Sequence, residues 1–120
     1  MSIKSLLEEL QRDYLKSMPG KILRIETLWE TKKMEELETE FHKMKGTGKT
    51  YGLAEVTQLG AALERLCETQ RDSLGVAVPL SLVVLERIRV SRNSGQAYKL
   101  EDDRDFRVIV ELVVASGQPL

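Results

Sequence analysis

The sequence predicts an all-α fold: an antiparallel four-helix bundle with an extra helix at the N-terminus and a further candidate helix at the C-terminal end. Three observations predict it. Apolar residues recur at three- and four-residue spacing along most of the chain, the spacing of a helix with one buried face. Proline, glycine and charged clusters fall between those segments. The connections are short, which makes consecutive helices antiparallel neighbours.

Ser2 can cap a first helix running to about Met18, with Ile3, Leu6, Leu7, Leu10 and Tyr14 at helical spacing and Pro19-Gly20 ending it. Ile22, Ile25, Leu28 and Trp29 mark a second helix from Lys21 to about Thr31, followed by a turn at "ETKK". Met34, Leu37, Phe41 and Met44 set the core face of a third. Leu53, Val56, Leu59, Leu63, Leu66 and Cys67 form a fourth, which runs into the polar "ETQRDS".

From residue 74 onwards the signal divides. "LGVAVPLSLVVLERIRV" and "DFRVIVELVV" are rich in Val and Ile, which favours strand. Leu80, Val83, Val84 and Ile88, and then Phe106, Ile109, Val110 and Val113, also fit helical spacing. Pro79 suits a first helical turn, Gly95 a C-terminal cap, and "EDDRD" the electropositive start of another helix. Both segments are read as helices.

With 120 residues, 42% hydrophobic and 31% charged, the chain suits one domain spanning 1–120. Its motif-bearing part covers about 10–97 and an extension about 98–120. A net charge of -1, with acids and bases interspersed, leaves no basic face for a nucleic-acid backbone. No stretch reaches the roughly 18 apolar residues that a membrane span requires, so a cytoplasmic protein is expected. Cys67 lies on an apolar stripe and reads as core packing, and one Cys with one His makes no zinc site.

The segment "FHKMKGTGKTYG", residues 41–52, carries the chemistry and admits two readings. Gly48, Lys49 and Thr50 match the end of a phosphate-binding nucleotide loop, G-x-x-x-x-G-K-[ST]. The first glycine of that pattern would fall at Lys43, and "MEELETEFHKM" has helical spacing where a buried strand should launch the loop. Only some 70 residues follow Thr50, too few for a nucleotide domain of several βαβ units. The nucleotide reading fails on each count.

The other reading starts from helix phase. At about 100° per residue, His42, Lys45, Gly46 and Lys49 share one face, centred roughly 120° from Met34, Leu37, Phe41, Met44 and Gly48. When the second set enters the core, His42 is left towards solvent. An exposed imidazole, with an ordinary pKa of roughly 6.5, is largely neutral near pH 7 and has a ring nitrogen able to attack phosphorus. Lys45, one turn on, is placed to balance phosphoryl charge, and Gly46 has no side chain to obstruct a partner. Lys49, a further turn on, can add charge. Gly46 inside a helix costs about 1 kcal/mol relative to Ala, which points to a reason other than stability.

At these residues the sequence resembles the histidine-containing phosphotransfer (HPt) domains of bacterial multistep phosphorelays. Their motif runs H-x-[LM]-K-G, two small residues, then an apolar residue and a glycine ten positions after the histidine. Here the match is carried by His42, Met44, Lys45, Gly46, Thr47, Gly48, Tyr51 and Gly52, followed by the apolar "LAEVTQLGAALE" ending in Leu-Glu. The resemblance covers about residues 10–67. Phe41 departs from it, being bulkier than the small residue often found before the histidine, and some 20 residues continue past the helix that would close the bundle.

The resemblance implies a stand-alone phosphorelay intermediate in which His42 accepts a phosphoryl group from an aspartyl phosphate of a receiver domain, or from a kinase, and passes it to another response regulator. It implies a carrier with no kinase or nucleotide-binding activity of its own. The partners would be receiver domains or a hybrid histidine kinase, and the chain is expected to be a monomer. No cofactor of its own is implied, and Mg2+ would sit on the partner receiver. The competing reading is a helical adaptor that docks on receivers or a kinase without being phosphorylated. Gly52 reads equally as a motif residue or as a helix-ending cap, and Trp29 and Tyr51 as packing residues.

Overall fold

The computed structural model describes residues 2–117 and is all-helical, with no strand among the described residues. Five α-helices follow in order: α1 (Ile3–Glu30), α2 (Met34–Thr50), α3 (Ala54–Thr69), α4 (Leu74–Asn93) and α5 (Arg104–Ala115). Short 3-10 turns at Arg71–Ser73 and Leu100–Asp102 precede α4 and α5. Helix α2 packs against α1 and α3, α4 closes the ring against α1 and α3, and α5 lies against α3 and α4. The expected bundle and the C-terminal helix are both present. Residues 118–120 of the expected extension lie outside the described residues.

The break expected at Pro19-Gly20 does not occur, and the two N-terminal helices are one helix of 28 residues. A proline inside a helix costs about 3 kcal/mol through its lost N–H bond and ring clash. On either side of it, Tyr14, Leu15, Met18, Ile25 and Leu28 are buried on a single stripe. Burial of each large apolar side chain contributes about 1.5–3 kcal/mol, so the stripe outweighs the local break. Pro19 and Gly20 themselves face solvent.

Pro79 is displaced in the same way. Helix α4 starts at Leu74, so the proline stands inside it and not in its first turn. Leu74, Ala77 and Val78 enter the core ahead of it, while Val83, expected inside, is exposed. On α1 the expected stripe is covered only from Tyr14 onwards. Ile3, Leu6, Leu7 and Leu10 stay exposed, because α1 runs on past the end of α2, where the Gln11 amide donates to the Tyr51 carbonyl.

The other spacings hold. All six apolar residues expected inside α3 or just before it are buried, as are Phe106, Ile109 and Val113 of α5. One cluster of buried side chains runs from Tyr14 to Val113. Phe41, whose bulk departs from the phosphotransfer pattern, is fully buried in it.

The turns use the chemistry read from the sequence. Gly95 has φ +84° just past α4, with its N–H bonded to the Arg92 carbonyl and that of Gln96 to Ser91. Asp103 caps α5 by accepting from the N–H groups of Asp105 and Phe106. The link between α4 and α5 is tied back to α3, because buried Glu55 takes two hydrogen bonds from Arg92 and one from the N–H of Tyr98. Arg87 reaches both Asp103 and Asp105.

Candidate functional site

Helix α2 is arranged for its ends as well as its faces. Glu35 and Glu36 lie in its first turn and Lys49 in its last, each favourable to the helix dipole. Leu37, Phe41, Met44 and Gly48 turn inwards. His42 is thereby left outside, with 68% of its side chain exposed, as the helix phase predicts. The chain then reverses at Gly52, which has φ +72° and takes the role of helix-ending cap. The Leu53 N–H bonds to the Gly48 carbonyl at 2.7 Å and that of Gly52 to the Lys49 carbonyl at 3.4 Å.

Two glycines then let α3 approach α2 closely. A Cβ on Gly48 would stand 2.6 Å from the Thr57 nitrogen, and one on Gly60 would stand 2.8 Å from the Lys45 nitrogen and 2.9 Å from the Phe41 oxygen. Thr57 adds a hydrogen bond from its hydroxyl to the Lys45 carbonyl at 3.1 Å. Glu64 lies one turn beyond Gly60, and this crossing delivers its carboxylate to the motif.

Glu64 joins the two chemical residues of α2. Its Oε2 lies 2.6 Å from His42 Nδ1, and its Oε1 accepts from Lys45 Nζ at 2.6 Å. Burial alone would raise the Glu64 pKa. The hydrogen bonds from Lys45 and His42, with their charges, outweigh burial and hold the carboxyl below its ordinary value. The carboxylate is therefore ionised throughout the neutral range, on a residue that is 8% exposed.

Of the four residues read from the motif, the structure gathers His42 and Lys45 around Glu64 and leaves Gly46 open beside them. A Cβ on Gly46 meets nothing within 4 Å, so no packing inside the chain calls for glycine there. Lys49 is not brought into this network. It is exposed and borders a shallow groove of about 300 Å³ with Gly48, Gly52, Ala54, Thr57 and Gln58.

On the other flank of α2, the Tyr14 hydroxyl and the Thr47 hydroxyl pair at 3.1 Å, and Arg24 bonds Glu40 at 2.7 Å. Tyr51 packs at the edge of the core, its ring centroid 5.3 Å from that of Tyr14. Trp29 is likewise half-buried against the core. Cys67 is buried, and burial pushes its thiol up to about 12, which suits packing and not redox chemistry.

Glu64 is the site residue that sequence reading missed. It was visible as the acidic member of "Leu-Glu" at the end of an apolar stretch. A carboxylate flanked by Leu63 and Leu66 on a buried helix must find partners, and that was the available signal. Which partners it finds depends on how α2 and α3 cross.

Among the described residues no group of three or more His, Cys, Asp or Glu could hold a metal ion, and no helix is long and apolar enough to cross a membrane.

An all-α bundle that presents one exposed histidine, backed by an ionised carboxylate and a lysine, defines a class of helical phosphotransfer modules. Comparison with protein-family models agrees with that class: the model described as Hpt domain matches residues 9–91, and the chain belongs to the Hpt domain family. Membership places it in phosphotransfer of two-component signal transduction, where such domains meet receiver domains and histidine kinases. No curated protein and no solved structure matches it significantly. Helix α5 begins beyond the matched region.

Proposed function

We propose that this chain is a phosphorelay intermediate in which His42 is the phosphoacceptor, taking a phosphoryl group from an aspartyl phosphate of a receiver domain, or from a kinase, and handing it to another response regulator. The observation that carries this reading is the position of His42: exposed on α2, held from below by a charged pair, and followed one turn later by a glycine with open space around it.

Phosphoryl transfer asks a protein mainly to position groups and to balance charge on the transferring oxygens. The imidazole is its own nucleophile and needs no separate base. Lys45 lies on the same face of α2 and supplies the positive partner once the phosphoryl group is on the ring. Gly46 leaves room for the surface of a folded donor to come down over His42. Lys49 adds positive charge farther along that approach. Mg2+ is assigned to the receiver, whose acyl phosphate carries the transferable group.

The test is transfer itself. The purified protein and its His42→Gln variant are incubated with phosphorylated receivers, and bound phosphate is typed by its acid-labile, alkali-stable linkage. Circular dichroism establishes that the variant keeps its helices. The wild type is expected to take label and His42→Gln none. Equal labelling of both would discard His42 as the acceptor. An unlabelled protein that still binds a receiver would favour the adaptor.

A further inference from the structure

We propose that Arg92 is a positioning residue for phosphate exchange with a partner domain: it clamps the turn between α2 and α3, and so holds the last turn of α2, with Lys49 and the groove beside it, in place for an arriving receiver. The proposal rests on the reading of His42 as phosphoacceptor and adds to it a requirement well away from the ring.

Three observations carry it. The carbonyls of the turn are tied from two different helices: the Gln11 amide of α1 donates to Tyr51, and Nη2 of Arg92, in the last turn of α4, donates to Gly52 at 3.4 Å. Arg92 is itself fixed, because its Nε and Nη2 donate to the two oxygens of Glu55 at 2.8 and 2.7 Å, and Glu55 is only 4% exposed. The same carboxylate accepts from the Tyr98 N–H at 2.8 Å, which joins the link after α4 to the cluster. Finally, Gly52 and Ala54 line the same groove as Lys49, which shares a helix face with His42. Arg92 and Tyr98 lie beyond residues 9–91, so the family match does not account for the clamp.

A helix end frays because its last carbonyls have no partner within the helix. Here the Thr47, Gly48 and Lys49 carbonyls accept from the N–H groups of Tyr51, Leu53 and Gly52, the three residues of the turn. Those bonds last only while the turn keeps its shape, which includes φ +72° at Gly52. Gln11 and Arg92 take the next two carbonyls outward. Two-pronged pairing with a buried carboxylate gives the Arg92 guanidinium a fixed place from which to do so. With the turn held, Lys49 and the groove are ordered before a partner arrives, and docking does not have to order them. Loss of the clamp therefore weakens docking. It leaves the imidazole as it was, about 15 Å away at 1.5 Å per helical residue.

Two variants test this. Arg92→Lys keeps a cation opposite Glu55 but has no planar fork to reach Glu55 and Gly52 together. Gln11→Ala removes the other tie from a residue that is only half-buried, and circular dichroism establishes that both variants keep their helices. In each, the Leu53 amide is expected to exchange with solvent about tenfold faster, while amides in the middle of α4 keep their rates. KM for a phosphorylated receiver rises about threefold to tenfold at an unchanged maximal rate, and labelling by phosphoramidate stays as in the wild type. Unchanged Leu53 exchange, or faster exchange with an unchanged KM, overturns the role of Arg92 and leaves His42 as the acceptor. Slower labelling by phosphoramidate overturns it too, because the effect would then lie on the ring. A wild type that takes phosphate from neither receiver, kinase nor phosphoramidate removes the reading of His42, and the role of Arg92 with it.

Discussion

Gly60 of α3 rests directly on the backbone of Lys45 in α2: a Cβ at Gly60 would stand 2.8 Å from the Lys45 nitrogen and 3.0 Å from Met44 Cβ. The Lys45 nitrogen and the Phe41 oxygen, 2.9 Å away, are main-chain atoms, which cannot swing aside as a side-chain tip can. Gly60→Ala must therefore push α3 outward. Overpacking of this kind costs about 1–3 kcal/mol, against which the better helix propensity of Ala returns less than about 1 kcal/mol. The expected result is a lower urea midpoint together with slower phosphate acceptance, because Glu64 moves with α3. A variant as stable and as fast as the wild type would show that the crossing has slack to spare.

Acid should loosen the link between α4 and α5. Burial alone would raise the Glu55 pKa, but the two hydrogen bonds from Arg92, those from the N–H groups of Tyr98 and of Glu55 itself, and the Arg92 charge outweigh it and depress it. A depressed folded pKa means that the unfolded chain binds the proton first. The contribution is thus complete above the unfolded value of about 4.3 and is lost as pH falls through the folded one. Glu55→Gln, which has no such proton to bind, should show a shallower fall in unfolding free energy between about pH 5 and pH 3. Superimposable slopes for the variant and the wild type would dissociate this cluster from the acid response. Asp103 and Glu64 are depressed as well, so the variant removes only part of the fall.

The contrast between Pro19 and Gly52 shows how far the fold could be read from residues alone. Gly52 ends its helix as its type suggests, because the turn needs φ +72° and nothing opposes it. Pro19 has the stronger local signal and loses, because the burial of Met18, Ile25 and their neighbours belongs to the assembled bundle. Phase along one helix is local information, so the exposure of His42 and the inward turn of Phe41 were legible. The pairing of Glu64 with His42 and Lys45 spans 22 and 19 residues and depends on the register between α2 and α3. That register is set by Gly48 and Gly60: helix phase turns Gly48 inward, but nothing periodic says which backbone either glycine meets.

Helix α5 lies outside the family match yet belongs to the core. Phe106, Ile109 and Val113 are buried against α3 and α4, and Ile109 is fully enclosed. Ile109→Ala should cost about 2–5 kcal/mol, the range for removing a large aliphatic side chain from a packed interior. Thermal unfolding gives the comparison. A change under about 1 kcal/mol would mean that α5 is an appendage that the bundle does not need.

Gly46 separates stability from access more cleanly than any other position. Its Cβ direction is open for 4 Å, so Gly46→Gln creates no clash inside the chain. Replacing a mid-helix glycine with glutamine should stabilise α2 by about 0.5–1 kcal/mol through backbone entropy. The same side chain would stand one turn from His42 in the path of a docking partner. The variant should unfold at higher urea and yet accept phosphate more slowly from a receiver. Acceptance from a small phosphoryl donor such as phosphoramidate, which needs no protein surface, should be little changed. A variant that is more stable and equally fast with both donors would show that no partner passes over Gly46, and the glycine would then lose its functional explanation. Slowing with both donors would place the effect on the imidazole itself.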